Sequence, residues 1–212
     1  EIVGRLDIVG DAAMKDCPKL NNVVVSSKDI RKETFSGCTE LANVYYMNAE
    51  TALAPNEVKD YAFYNTKVDL DLSATTTIGA YAFASNETMV GTVEDNDKNV
   101  VLVGATTIGA NAFNGNTEIG YIYFKNATLI GNAILDGCTG LYEIKFGAKF
   151  AYSVAGANPS EDTFGEASDR TDHIKLFHVK GQAGVEGNVL TIGNADPAAG
   201  FTFYQITEEE AY

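Results

Sequence analysis

Six stretches of the chain repeat one arrangement of apolar and polar positions. Each has an aliphatic, commonly a Gly, then Ala-Phe or an equivalent pair, then Cys, Asn or Thr three residues beyond the aromatic. They read VGDAAMKDC (9–17), IRKETFSGC (30–38), VKDYAFYNT (58–66), IGAYAFASN (78–86), IGANAFNGN (108–116) and IGNAILDGC (130–138). Four of them run on into spaced aliphatics: Leu20/Val23/Val25, Leu41/Val44/Tyr46, Ile119/Ile122/Phe124 and Leu141/Ile144/Phe146. The last two of each set alternate with period two, so both point to one side of a strand. The Ala-Phe pair is expected in a short helical turn, where Ala permits close approach and Phe plugs the interior. The Gly is expected to adopt a backbone conformation closed to residues bearing a Cβ.

The aromatic-equivalent positions are Met14, Phe35, Phe63, Phe83, Phe113 and Leu135, separated by 21, 28, 20, 30 and 22 residues. A unit this short cannot bury its apolar face alone, so neighbouring units must stack into a solenoid. The two long separations require insertions, placed at Met47–Asn56 and Thr92–Val103. The second contains Glu94-Asp95-Asn96-Asp97-Lys98-Asn99 and reads as a hairpin with a solvated tip.

The stretches IGAYAFASN and IGANAFNGNTEIGYIYF closely resemble the BspA-type leucine-rich repeats of host-associated anaerobic bacteria, and the resemblance covers about residues 9–147. The expected fold is therefore α/β: a right-handed leucine-rich-repeat solenoid of short strands and short helical turns. The resemblance implies extracellular display and binding of proteins, often host matrix or other bacterial surface proteins. Two departures, the shortened Thr66–Leu72 and the Ile134-Leu135 pair in place of Ala-Phe, bear on local curvature. Residues 1–147 are assigned to about six repeats. Residues 148–212 lose the template: 154–172 reads as a loop, His173–Lys180 and Val185–Ile192 as strands joined through Gly181–Gly187, and Glu208–Glu210 with Tyr212 as a frayed end. An irregular, strand-containing C-terminal cap would shield the last apolar layer; a separate functional domain is the other reading.

Composition narrows the partners. The chain has 29 acidic against 15 basic residues and a formal net charge of −14, which repels phosphate backbones and anionic headgroups. Nucleic acid is an unfavourable partner, whereas a basic protein, a neutral glycan or a divalent cation is electrostatically acceptable. No apolar run approaches the roughly 20 residues that span a bilayer. The sequence opens at Glu1 with neither Met nor signal peptide, which reads as a processed or trimmed chain.

Catalytic and metal chemistry find little support. No GxSxG, HExxH or phosphate-binding Gly-rich signature occurs, so no catalytic residue and no cofactor is assigned. Cys17, Cys38 and Cys138 share the template position held elsewhere by Thr66, Asn86 and Asn116. Small side chains that bond the turn backbone inside the solenoid are the main reading. A Cys17–Cys38 disulfide is the alternative, because stacked strands lie about 4.8 Å apart. His173 and His178, five apart, do not converge on a metal. Asp169, Asp172 and His173 make at most a weak cation site. Asp95, Asp97 and Asn99 imitate the start of a calcium loop, but Val100 stands at its glycine position and Thr106 at its bidentate acid. No metal site is assigned.

The residues between the inward aliphatics should point outward. One such column reads Val24, Tyr45, Asp71, Tyr123 and Lys145, and the column two residues earlier reads Asn22, Asn43, Asp69, Tyr121 and Glu143. Exposed Tyr gives large contact area at small entropic cost. Tyr45, Tyr121 and Tyr123 are thus the candidate binding residues, contributing contact and not stability, while Asp69 and Asp71 form a negative notch suited to a basic partner. The expected function is recognition of a protein, or secondarily a glycan, by a non-enzymatic secreted or cell-surface module. The rival is a passive spacer in a larger surface protein.

Overall fold

The computed structural model describes residues 5–6, 10–47, 51–95 and 98–147, followed by the strands at 174–179, 185–186, 189–190 and 201–206. The repeats wind into a β-solenoid of about five turns. One sheet joins β1 (Arg5–Leu6), β2 (Asn22–Val25) and β4 (Asn43–Tyr46), all parallel. A second parallel sheet stacks the two-residue strands β3 (Asp29–Ile30), β5 (Glu57–Val58), β6 (Thr77–Ile78), β9 (Thr107–Ile108) and β11 (Leu129–Ile130). These short strands are the first aliphatic of each unit with the residue before it. Ile30, Val58, Ile78, Ile108 and Ile130 consequently form one buried column.

The third sheet runs β7 (Val93–Asp95), β8 (Lys98–Val103), β10 (Tyr121–Phe124), β12 (Glu143–Phe146), β13 (Ile174–Val179) and β16 (Phe201–Ile206). Its first pair is antiparallel, with Glu94 opposite Asn99, so the predicted hairpin is present; residues 96 and 97 lie outside the described residues. Every later pair is parallel. The earlier insertion also folds back: the Tyr46 N–H donates to the Thr51 carbonyl, and Tyr45 bridges Ala52.

Beyond residue 147 the strand expected over His173–Lys180 is observed as β13. The second run contains two short strands, β14 (Val185–Glu186) and β15 (Val189–Leu190), paired antiparallel. The partner of β13 is instead β16, in register over six residues from Ile174–Phe201 to Val179–Ile206.

The interior is a single file of rings. Phe35–Phe63, Phe63–Phe83 and Phe83–Phe113 have centroids 5.5, 5.5 and 5.7 Å apart with interplanar angles of 13°, 14° and 6°. All four rings are completely buried, and Met14 and Leu135 belong to the same cluster. Offset-stacked rings at this spacing add about 0.5–1.5 kcal/mol per pair beyond area burial. Phe124 and Phe146 stack similarly at 5.6 Å.

Two expectations need correction. The Ala-Phe segments are not helical, and no described residue is in a helix. Each segment instead has left-handed residues four positions apart: Ala12/Asp16, Glu33/Gly37, Tyr61/Asn65, Tyr81/Ser85, Asn111/Gly115 and Ala133/Gly137. Alternate N–H groups then leave the local chain and donate to the next unit, as Phe35 to Ala62, Phe63 to Ala82, Phe83 to Ala112 and Phe113 to Ile134. A helix would consume those donors internally, and the stack would lose its inter-unit bonds. The reason for the template glycine also differs. Gly109 does not have a positive φ; a Cβ there would overlap the Ala80 backbone nitrogen of the preceding unit. The glycine is needed for close approach.

Candidate functional site

The template polar position is built into the interior as the sequence indicated. Thr66 Oγ1 donates to the Phe63 carbonyl at 2.9 Å, and Asn116 Nδ2 donates to the carbonyls of Phe83 and Phe113 at 2.8 and 2.6 Å. Asn86 Nδ2 donates to the Val68 carbonyl. The thiols behave alike, Cys38 Sγ donating to the Met14 carbonyl at 3.0 Å and Cys138 Sγ to the Phe113 carbonyl at 3.2 Å. All three cysteines are free. Burial pushes the Cys138 thiol up to about 12, so it should resist alkylating reagents at neutral pH until the chain is unfolded. Asn116→Ala leaves two buried carbonyls without that donor and should destabilise by about 1–3 kcal/mol in a denaturant titration.

The outward columns are partly as expected. Val24 pairs with Tyr45 in register, and Leu102, Tyr123 and Lys145 form one continuous row on the six-stranded sheet. The sequence reading omitted Leu102, because the hairpin insertion hides the strand that carries it. Tyr45 and Tyr121 are half-buried on the surface. Tyr123 is not exposed: only 3% of it is accessible, and its hydroxyl donates to Glu143 Oε1 at 2.6 Å. Tyr123 is a support beneath the face. Tyr123→Ala should therefore lower the melting temperature, against the expectation that its loss leaves stability intact.

The two aspartates are occupied locally. Asp69 is half-buried and accepts the backbone N–H groups of Val90 and Gly91; burial raises its pKa, opposed by those two bonds. Asp71 accepts the Ser73 N–H at 2.9 Å, closing a turn. Both carboxylates shape the shortened Thr66–Leu72 segment.

The hairpin creates an arrangement that the column reading missed. Lys98, at the start of β8, reaches Glu143 Oε2 at 3.1 Å and lies 4.7 Å above the Tyr121 ring. Glu143 is only 5% accessible, so this carboxylate is held by Lys98 and the Tyr123 hydroxyl together. Lys145 lies 5.4 Å over Tyr123, and Lys175 lies 4.7 Å over Tyr142. Tyr142 meets Tyr121 edge to face at 5.8 Å. Its accessibility is 43%, and that of Tyr204 on β16 is 40%. The hydrogen bond to Tyr142, more than its charge environment, raises the pKa of Lys175. Lys98 and the Tyr123 hydroxyl thus hold one buried carboxylate, with Tyr121, Tyr142 and Lys175 beside it and Tyr204 farther along the same sheet.

That geometry sits on a repeat array whose register, core and turn chemistry follow one template through 138. A family model described as BspA type Leucine rich repeat region matches six copies, over residues 1–90 and 56–154. The chain belongs to the BspA-type leucine-rich repeat family. Searches of curated proteins and of solved structures returned no match. BspA-type repeats are commonly surface protein-interaction repeats, and leucine-rich-repeat solenoids are typically non-enzymatic binding or scaffold domains.

For the remaining candidates, no group of three or more His, Cys, Asp or Glu among the described residues is arranged to hold a metal ion. Asp97, Asp169, Asp172 and His173 lie outside the described residues, while His178 is on β13 opposite Gln205. Among the described residues, no helix is long and apolar enough to cross a membrane.

Proposed function

We propose that this BspA-type chain is a secreted or cell-surface module that recognises a protein through the outward face of the six-stranded sheet. The observation carrying this reading is the Tyr121–Tyr142–Lys98–Lys175 arrangement, in which aromatic contact area and charge are fixed before any partner arrives. A surface ordered in advance loses less entropy on binding. Tyr121, Tyr142 and Tyr204 supply contact, Tyr123 and Glu143 hold the face, and Tyr45 extends the tyrosines onto the first sheet.

The charge preference differs from the one assigned to Asp69 and Asp71. Lys98, Lys145 and Lys175 stand here among acidic groups, with Glu143 beside them and Asp95 as the register partner of Lys98, so the face carries both signs. Local charge placement governs docking, so the partner surface that fits is apolar with acidic groups set opposite Lys145 and Lys175. Reversible recognition of this kind requires no cofactor, and no catalytic step is assigned.

The test is equilibrium binding to an array of extracellular-matrix and bacterial-envelope proteins. Saturable capture is expected, and Tyr142→Ala combined with Lys175→Ala should weaken it at least about tenfold while the melting temperature stays within about 2 °C. Capture of nothing would favour a passive spacer. Unaltered binding by the double variant would remove this face from the function.

A further inference from the structure

Cys17 and Cys38 occupy the same template position in adjacent units, and both flanks of that position are in register. On one side the Asp16 N–H donates to the Ser36 carbonyl at 2.8 Å; on the other, Asn22 is the strand partner of Asn43. The strand pair carries the 21-residue offset that separates Cys17 from Cys38, and the N–H to carbonyl bond, offset by 20, is the one such a parallel register makes. Stacked backbones lie about 4.8 Å apart, inside the range of roughly 4.4–6.8 Å between Cα atoms that a disulfide accepts. Both thiols bond carbonyls of the same turn, Cys17 Sγ that of Lys15 at 3.9 Å and Cys38 Sγ that of Met14 at 3.0 Å. In the structure the two thiols are reduced.

We propose that Cys17 and Cys38 are an oxidisable pair whose disulfide staples two adjacent units of the solenoid, the one carrying β2 and the one carrying β4. The two thiols are unequal. Cys17 is half-buried at the margin of the core, whereas Cys38 is completely buried with its proton on the Met14 carbonyl. Cys17 therefore meets the oxidant. Its thiolate attacks one sulfur of a small disulfide such as oxidised glutathione, forming a mixed disulfide and releasing one thiol. Cys38 then attacks the Cys17 sulfur and expels the second thiol. The two cysteines lose two electrons to the oxidant, and their two protons end on the released thiols.

The pair has a structural consequence and an internal control. Residues 10–13, 15 and 16 around Cys17 are exposed, so the oxidant reaches this turn from solvent. A crosslink there restricts the opened state over a 21-residue span. Cys138 has Asn116, not a thiol, at the equivalent position of the preceding unit, and it is deeply buried.

The whole chain is incubated under native conditions with oxidised glutathione, then analysed by intact mass and by peptide mapping without reductant. The expected result is a loss of about 2 Da with no retained glutathione, a Cys17–Cys38 linked peptide, and a free Cys138. A melting temperature several degrees higher should accompany it, and Cys17→Ser should abolish both changes. A persistent glutathione adduct on Cys17, a covalent dimer, or two thiols that remain alkylatable after prolonged oxidation would each overturn the proposal. The outcome does not depend on whether the sheet face binds a partner.

Discussion

Phe83→Ala should destabilise the chain by about 3–5 kcal/mol, the range for emptying an aromatic site in a core that cannot collapse. Phe83 lies in the file with Phe63 on one side and Phe113 on the other, and it is completely buried. Its removal ends both stacking contacts and opens a void between units held at fixed spacing by backbone bonds. The Phe83 N–H donates to Ala112 and the Phe63 N–H to Ala82, so the walls have little freedom to close. Stability in a repeat array is approximately a sum of intrinsic and nearest-neighbour terms. A central gap should therefore cost more than Phe35→Ala, since Phe35 stacks on one phenylalanine only among the described rings. Phe83→Leu retains most of the volume and should cost less than half as much. Urea titration of the three variants, read at constant slope, gives the ordering.

Gly91→Ala should destabilise by about 2–4 kcal/mol, combining backbone strain with overpacking. Gly91 has φ of +102°, a conformation that residues bearing a Cβ rarely adopt, and the added carbon would overlap the Val100 carbonyl carbon. The same glycine donates its N–H to Asp69, which fixes the chain where it leaves the solenoid for the hairpin. Because that hairpin delivers Lys98 to Tyr121 and Glu143, displacing it should also disturb the proposed binding face. Thermal melts and partner binding are measured on the one variant. Lowered stability with lowered affinity is expected, whereas an unchanged melting temperature would show that the backbone at Gly91 relaxes at no cost.

The fold was legible where the template repeats. Aromatics at Phe35, Phe63, Phe83 and Phe113 and the polar position beyond them are local features, and both took the places that their spacing implied. The turns were misread because alanine and aromatic residues carry no sign of a left-handed backbone. Tyr61 and Tyr81 accept φ of 56° and 55° to release alternate N–H groups to the next unit.

The face was legible only in part. Alternation gives the side of the sheet to which Tyr123 belongs, but not the Glu143 carboxylate that its hydroxyl meets or the Lys145 side chain over its ring, both on the neighbouring strand. Tyr142 lies just ahead of β12 and entered neither outward column, although it is among the most accessible of the large apolar residues. Parallel pairing of β13 with β16 was also hidden. The stretch between them lacks the template, and nothing local to Phe201–Ile206 names its partner.

The single file of rings is tested most directly by ring-to-ring nuclear Overhauser effects in a chain carrying selectively labelled phenylalanine. Contacts from Phe35 to Phe63, Phe63 to Phe83 and Phe83 to Phe113 are expected, with none from Phe35 to Phe113. Rings that show no sequential contacts, or that contact one another out of this order, would contradict the in-register stack and with it the placement of the tyrosine-lined face.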